Sequence, residues 1–320
     1  MTRMLPPDFI HGYDVIGDIH GYAEPLKALL EKLDYEETEG SYSHPEGRKV
    51  VFLGDFIDRG PAIRETLHLV RAMTDAGNAV AVMGNHEFNA VCFHTSDGNG
   101  DFLRSHLEKD GKNVEQHKAT LDAFAGREDE WEEWISWFKQ LPFSLDLGGI
   151  RAVHAAWSAE QIDFLNGKSL NDLDFLHAST TAETEELLAV ETVLKGIEVS
   201  LPEGNFFSDK QGFERADIRV RWWEAPGSKS FREVVFPDCD TVSDDRINFE
   251  KVNPWKGYGE NEPPVFFGHY WLPTSLEPHP VAPNAACLDY SVARPDGKLV
   301  AYRWDGESRL DSSRFVSVAA

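Results

Sequence analysis

The chain has 320 residues, of which 41% are hydrophobic, so it can bury a large globular core. Its 55 acidic side chains outnumber its 31 lysines and arginines, and the formal net charge of −24 argues against nucleic acid polymers as partners, because these are bound through many cationic contacts to phosphate. It has no run of about 18 uncharged apolar residues, no signal-peptide core and no CxxC pair among its three cysteines, so we expect a cytoplasmic protein without membrane association.

The first part of the chain repeats one arrangement three times: an apolar run, then a glycine, then an acidic or amide side chain. The apolar runs predict strands at residues 13–16, 49–53 and 79–83. Helices are predicted behind the first two strands, one beginning near Pro25 and one over residues 62–76. The polar side chains that follow the glycines are Asp18, Asp55 and Asn85. Because strands joined by crossover helices usually lie parallel, we expect these side chains to converge at one edge of a sheet.

The loop after the second predicted strand concentrates three functional groups. Asp55 has the chemistry of a metal ligand, Asp58 can orient or exchange a proton, and Arg59 can bind a phosphate. The other motifs of the chain are therefore expected to supply what this loop lacks.

Two further predicted strands end in a histidine. Residues 101–140 have a helical pattern whose tryptophans predict core packing and not a ligand platform. Residues 143–153 then predict a β-hairpin that ends at His154. Residues 264–267 predict a short strand that is followed by Gly-His, with His269 at its carboxyl end.

The segment over residues 158–264 carries few clear patterns. It contains a predicted helix over residues 184–194 and a predicted strand over residues 217–223. Arg219 and Arg221 are expected on the same side of that strand, because they lie two residues apart.

The end of the chain predicts an antiparallel finish to the fold. Residues 285–292 and 298–304 are joined by Pro-Asp-Gly and predict a β-hairpin. An α/β beginning and an antiparallel end predict an α/β (α+β) sandwich of mixed sheets flanked by helices. We expect a single domain over residues 1–320, with residues 158–264 as an elaboration, because a ligand-type histidine follows that segment.

Five predicted strands thus end in a group that is able to bind a metal. Each group alone has a structural explanation as a turn former, a helix cap or a core histidine, but their joint occurrence favours a shared site. Asp, Asn and His without thiolate suit manganese, iron or zinc, whereas calcium prefers oxygen ligands only. So many ligands require two ions, and the carboxylate of the central strand is the natural bridge between them.

These motifs resemble those of the calcineurin-like metallophosphoesterases, in the phosphoprotein phosphatase branch with its bacterial and diadenosine-tetraphosphatase-like relatives. The matching segments are Gly17-Asp18-Ile19-His20-Gly21, Gly54-Asp55-Phe56-Ile57-Asp58-Arg59-Gly60, Gly84-Asn85-His86-Glu87, Val153-His154-Ala155 and Gly268-His269. The resemblance implies the β-sandwich fold of that family, with the active site at the carboxyl ends of the strands. It also implies two divalent metal ions, for which we expect manganese, with iron and zinc as alternatives.

The resemblance further implies a role for each matching residue. The metal ligands would be Asp18, His20, Asp55, Asn85, His154 and His269. Asp55 would bridge the two ions, Asp18 and His20 would bind the first, and the remaining three would bind the second. His86 would be a general acid oriented by Asp58, and Arg59 and Asn85 would contact the phosphate. The family's second phosphate-binding arginine has no clear motif here, and Arg221 is our choice, with Arg219 as the alternative.

The expected activity is hydrolysis of phosphate monoesters by direct attack of a hydroxide that bridges the two metals. Trp271 stands where nuclease relatives carry a second histidine, which favours the phosphatase branch and a phosphorylated protein or small phosphate ester as substrate. The alternative is a dinucleoside polyphosphate hydrolase, in which an aromatic side chain stacks on a base. The candidate aromatic residues are Trp157, Trp222, Tyr270 and Trp271. A third hypothesis is an inactive binding protein, which would be expected to lack some of the ligands.

Overall fold

The computed structural model describes residues 12–107, 111–202, 204–208, 214–248 and 255–320. Its strands are β1 (Tyr13–Ile16), β2 (Glu36–Thr38), β3 (Ser41–Ser43), β4 (Lys49–Phe52), β5 (Ala79–Ala81), β6 (Ser144–Asp146), β7 (Arg151–Val153), β8 (Glu198–Ser200), β9 (Phe207–Ser208), β10 (Glu214–Arg215), β11 (Asp217–Arg219), β12 (Val265–Phe267), β13 (Ala285–Cys287), β14 (Asp289–Tyr290), β15 (Lys298–Trp304) and β16 (Phe315–Ala319). Its helices are α1 (Ala23–Lys32), α2 (Ile63–Asp75), α3 (Asn85–Phe93), α4 (Lys112–Ala123), α5 (Glu128–Phe138), α6 (Ala159–Leu165), α7 (Leu173–Ala178), α8 (Glu185–Lys195) and α9 (Phe231–Val234).

Two mixed sheets form the centre of the fold. In the first, β1, β4 and β5 are parallel neighbours, and β15 pairs antiparallel with β1, β14 and β16. The second has the strand order β13-β12-β7-β6, with β12 parallel to β7 and β13, and with β6 antiparallel to β7. Mixed sheets flanked by helices confirm the predicted α/β fold class.

The first parallel strands are buried because helices cover them. Val50, Val51 and Phe52 of β4 are fully inaccessible, as expected for a strand inside a parallel sheet. The leucines of α1 and the apolar stripe of α2 are buried as their helical spacing predicts. The carboxyl ends of β1, β4 and β5 therefore meet at one edge of the sheet, as predicted.

The helical prediction for residues 101–140 is only partly correct. α4 and α5 lie in this range, and the tryptophans of α5 (Trp131, Trp134 and Trp137) are buried, which confirms their predicted core role. Before α4, however, the chain forms a turn in which the Asp97 carboxylate accepts the backbone N–H groups of Asn99 and Asp101. This turn chemistry overrides the helical spacing that follows it.

The predicted C-terminal hairpin is also partly correct. β14 pairs antiparallel with β15, but β13 joins the second sheet beside β12. The chain thus crosses from one sheet to the other near Leu288, where the close approach of Gly17 to the Leu288 carbonyl leaves no room for a side chain. β16, which pairs along β15, was not predicted.

The segment between β7 and β12 is an excursion that returns to its starting point. α6, α7, α8, α9 and the strands β8 to β11 lie in it, and its two ends are neighbouring parallel strands of the second sheet. The predicted helix here is α8, whose Thr184 hydroxyl accepts the N–H of Leu187 at 3.1 Å. In the part of the chain that the structure describes, no helix is long and apolar enough to span a bilayer.

A buried ion pair connects β1 to the start of β4. Asp14 is fully inaccessible and accepts hydrogen bonds from Arg48 Nε at 2.9 Å and Nη2 at 3.1 Å, and from the Tyr35 hydroxyl at 3.0 Å. Arg303 on β15 approaches the same carboxylate at 3.3 Å. A buried carboxylate is tolerated only when such partners satisfy it.

We expect Arg48→Met to destabilise the protein by about 3–5 kcal/mol, because it leaves Asp14 buried without its main partner. Urea denaturation measures the change. Arg127→Met is the matched control, since Arg127 is exposed and lies 4.0 Å from Glu130, and it should cost less than about 1 kcal/mol. Equal stability of the two variants would contradict the structural role of the buried pair.

Candidate metal centre

The six sequence-predicted metal ligands lie together at the carboxyl ends of five strands. Asp18 and His20 follow β1, Asp55 follows β4, Asn85 follows β5, His154 follows β7, and His269 follows β12. All six side chains are buried. The site therefore lies between the two sheets, with ligands from both of them.

The two oxygens of Asp55 face two different clusters. Oδ2 lies 3.7 Å from His20 Nε2 and 3.8 Å from His86 Nε2, whereas Oδ1 lies 3.4 Å from His154 Nε2. The candidate ligand atoms of His20, Asp55 and His86 lie within 4.8 Å of one another, and so do those of Asp55, His154 and His269. Asp55 belongs to both clusters, which is the position of a bridging carboxylate.

Backbone carbonyl groups fix the orientation of two histidines. His20 Nδ1 donates to the Ile57 carbonyl at 2.9 Å, and His154 Nδ1 donates to the Leu53 carbonyl at 2.7 Å. Because a carbonyl only accepts, each Nδ1 carries a proton, and Nε2 is the ring nitrogen that faces the cluster and can bind a metal in its deprotonated form. His20 Nε2 and His269 Nε2 are buried without a hydrogen-bond partner, as expected for nitrogens that bind a metal.

Asn85 and Asp18 both lie beside the cluster of Asp55, His154 and His269, and the Asp18 carboxylate is part of neither group of three. Asn85 Oδ1 lies 2.6 Å from His269 Nδ1 and 3.0 Å from His154 Nε2, so three ligand-type atoms converge. The Asp18 carboxylate accepts the backbone N–H of His269 at 3.0 Å. A side chain at Gly268 would collide with Asp18, so this close approach requires glycine. The donor set of oxygens and imidazole nitrogens fits divalent transition metals.

The pKa values of the site follow from burial and from Asp55. Burial alone would raise the pKa of Asp55, but His154 and His86 hold it well below its usual range. Burial lowers the pKa of His20 to about 3, so its imidazole is neutral at pH 7. Burial would also lower the pKa of His154, but Asp55 raises it to about 10. Since a metal binds neutral imidazole, metal binding at His154 would release a proton.

Backbone strain is concentrated in the site. His20, Asp55, Asp58 and His269 have φ angles of 50°, 53°, 82° and 73°, in the left-handed region that residues with a side chain rarely adopt. Such conformations each cost about 1–3 kcal/mol and occur mainly where function requires a fixed geometry. The surrounding hydrogen bonds must therefore hold these loops in place.

Glu87 supplies such hydrogen bonds, a role that the sequence analysis did not assign. It is completely buried, and its carboxylate accepts the N–H groups of Gly84 at 3.0 Å and of Asp55 and Phe56 at 2.8 Å each. One side chain thus ties the loop after β4 to the loop after β5. Its position in the Gly-Asn-His-Glu motif was the only available signal.

Asp58 and His86 form the predicted pair, and α4 adds two unpredicted partners. Asp58 Oδ2 lies 2.7 Å from His86 Nδ1, while Oδ1 lies 2.6 Å from both His117 Nδ1 and the Thr120 hydroxyl. His117 and Thr120 lie three residues apart and so share one helix face. The Nε2 of His86 faces Asp55, a position that suits either a proton donor or a metal ligand.

The two candidate arginines of residues 158–264, Arg219 and Arg221, have different environments. Arg219 lines a cavity of about 670 Å³ beside the site, together with Arg59, Tyr270 and Trp271. Arg221 is not among its lining residues and instead pairs with Asp238 and with Glu224. The structure thus brings Arg219, and not our first choice Arg221, to the site.

The other aromatic candidates lie away from this cavity. Trp222 is buried against Phe267 in the core, and Trp157 stacks against Arg151. Of the four aromatic residues considered for base stacking, the structure therefore leaves Tyr270 and Trp271 at the cavity.

Comparison with known proteins places these motifs in one family. A family model described as calcineurin-like phosphoesterase matches residues 13–241. A bis(5'-nucleosyl)-tetraphosphatase (asymmetrical) of Halalkalibacterium halodurans is 47% identical over 74 residues, which cover 23% of this chain and 30% of that protein. The aligned segment is thus less than a third of the relative's length.

Solved structures resemble the chain only weakly. A protein serine/threonine phosphatase from Saccharomyces cerevisiae is 12% identical with a TM-score of 0.45, covering 96% of this chain and 79% of that one. A cold-active protein-tyrosine phosphatase of a Shewanella species is 20% identical with a TM-score of 0.44, covering 95% and 82%.

We expect Asp55→Asn to lose both metal ions when the reconstituted protein is analysed by elemental mass spectrometry, because among the described residues only this carboxylate belongs to both clusters. Asp75→Asn, at an exposed carboxylate that pairs with Arg71 at 2.7 Å, is the control and should keep the metal content of the wild type. Two tightly held ions in Asp55→Asn would exclude the bridging position.

Proposed function

The chain belongs to the calcineurin-like phosphoesterases, and on that premise we propose that it hydrolyses phosphate monoesters with the help of two divalent metal ions. The observation that carries the proposal is the position of Asp55 between two clusters of buried ligand atoms. The family assignment supports a phosphoester hydrolase in general. The preference for monoesters, as in the serine/threonine phosphatases, is our more specific hypothesis.

The residues of the site divide into two ligand sets. Asp18 and His20 would hold the first ion, and Asn85, His154 and His269 would hold the second, with Asp55 shared. When bound, the two ions supply positive charge for a phosphate group and lower the pKa of a water molecule. Oxygen and imidazole ligands suit manganese, iron or zinc, and we keep manganese as the proposed metal.

The remaining side chains act on the substrate. Arg59 would bind the non-reacting phosphate oxygens, and Arg219 replaces Arg221 as the proposed second arginine because it lines the same cavity. Burial alone would lower the pKa of His86, but Asp55 and Asp58 raise it, which favours the protonated imidazole of a general acid. Asp58 orients that ring through Nδ1, so Nε2 is directed to the leaving oxygen.

A dinucleoside polyphosphate is the second candidate substrate. The cavity of about 670 Å³, whose lining includes four arginines and Trp271, offers space for more than one phosphate and for an aromatic base. The Halalkalibacterium halodurans relative is named for this activity, although the shared segment covers only 30% of it. An inactive binding protein is less well supported, because all six proposed ligands are present and buried.

Two more predictions remain part of the proposal. We propose that residues 158–264 elaborate the same domain, since the strands on either side of them are adjacent. We also propose that the protein is cytoplasmic.

The function is tested with the manganese-loaded protein on phosphopeptides, small phosphomonoesters, phosphodiesters and diadenosine tetraphosphate. We expect the highest kcat/KM on monoesters and loss of activity after chelation. A strong preference for diadenosine tetraphosphate would select the second candidate, and two bound metals without activity on any ester would select the binding protein.

We expect His86→Asn to slow esters with poor leaving groups by about 10²–10⁴-fold and to affect 4-nitrophenyl phosphate much less, because a good leaving group needs no proton. The measurement is kcat/KM over a series of leaving groups, with metal content checked in each sample. His279→Asn, at an exposed histidine, is the control. An equal loss on all esters would remove the general-acid role.

A further inference from the structure

The indole ring of Trp271 stacks with the guanidinium groups of two arginines beside the candidate metal centre. Its indole centroid lies 4.6 Å from the guanidinium carbon of Arg59 and 5.1 Å from that of Arg294. The same ring lies 5.7 Å from the imidazole of His20. All three side chains of this stack (Arg59, Trp271 and Arg294) line the cavity of about 670 Å³. Two positive groups are thus held on one aromatic ring, next to a metal ligand.

Neither of these two guanidinium groups has a carboxylate partner within the described ranges of the chain. This is unusual in a protein with 55 acidic side chains and only 31 lysines and arginines. Arg219 in the same cavity, by contrast, approaches Glu198 at 3.5 Å. Glu198, Glu214, Asp217 and Asp238 also line the cavity. Two neighbouring cations that form no ion pair with these carboxylates favour an anion as a ligand.

The loops that carry the stack are fixed by one buried carboxylate. Asp289 accepts the backbone N–H of Trp271 at 2.6 Å and that of Ser291 at 2.9 Å. The N–H of Arg294 in turn donates to the Ser291 carbonyl at 2.9 Å. Trp271 and Ser291 both have positive φ angles, of 51° and 57°. The position of the second arginine relative to the metal centre is therefore built into the backbone, as a preorganised binding site requires.

We propose that Arg294, stacked on Trp271, forms a second anion-binding subsite for a phosphate that is linked to the reacting one. This rests on the proposed function, in which Arg59 binds the reacting phosphate at the metal centre. The ligand class is a small ester with two or more linked phosphates, which within the proposed phosphoester hydrolysis favours the second candidate substrate over a phosphoprotein. A small molecule suits a cavity of this volume, which also has the apolar side chains of Phe207 and Phe236 in its lining.

The experiment compares orthophosphate with methylenediphosphonate, whose two phosphorus atoms are joined through one carbon atom by P–C bonds that hydrolysis does not cleave. Binding to the manganese-loaded protein is measured by calorimetry at one fixed free metal concentration. Arg294→Gln should weaken diphosphonate binding about tenfold and orthophosphate binding much less, because one charge-assisted contact is lost. Arg294→Lys should recover part of the loss, since it keeps the charge without the planar guanidinium.

Arg309→Gln is the matched control, because Arg309 is an exposed arginine that does not line the cavity. It should bind both anions as the wild type does. Equal diphosphonate affinity of Arg294→Gln and the wild type would overturn the subsite, and so would an equal loss for both anions. Failure of phosphoester hydrolysis itself gives a different result, since the wild type would then hydrolyse none of the tested esters, whatever its affinity for the diphosphonate.

Discussion

The carboxylate of Asp55 is buried. Its ion-pair partners within the described residues are imidazoles, and none of them is a lysine or an arginine. An isolated buried carboxylate is costly, so the fold is stable only if positive charge is supplied there. Protonated histidine can supply it in part, as the raised pKa of His154 indicates. Divalent ions would supply more charge without a proton, so the site favours metal binding on electrostatic grounds alone.

Holding this carboxylate in place determines much of the local structure. Asp55 has a left-handed backbone conformation, and Gly54 before it packs against Gly84 so closely that neither position has room for a side chain. Glu87 compensates for this strain by accepting three backbone N–H groups from the two loops. The ligands, the strained turns and the buried Glu87 therefore depend on one another, and a change at one of them affects the whole edge of the sheet.

The sequence was most informative where function is encoded in short, contiguous motifs. Asp18, Asp55 and Asn85 each follow a strand directly, so parallel pairing was enough to predict that they converge. Two-residue alternation placed Arg219 and Arg221 on the same side of one predicted strand and could not decide between them. In the structure β11 ends at Arg219, so Arg221 lies outside the strand.

Residues that act across long sequence distances were not predictable in this way. His117 and Thr120 meet Asp58 only because α4 packs over the loop after β4, about sixty residues earlier in the chain. β16 was missed because its pairing with β15 is set by the tertiary fold. The hairpin prediction was only half correct because alternation does not reveal that a chain changes sheets between β13 and β14.

β7 and β12 are neighbouring strands, although a long excursion of the chain connects them. His154 and His269 are fixed by the pairing of these strands, whereas the intervening excursion supplies Arg219 and other walls of the cavity. Changes of length or sequence within that excursion can thus reshape the recognition surface while the ligand geometry stays the same. Part of the cavity wall and the candidate ligands thus lie in different stretches of the chain, and such an arrangement would allow related proteins to diverge in what they bind without rebuilding the proposed metal centre.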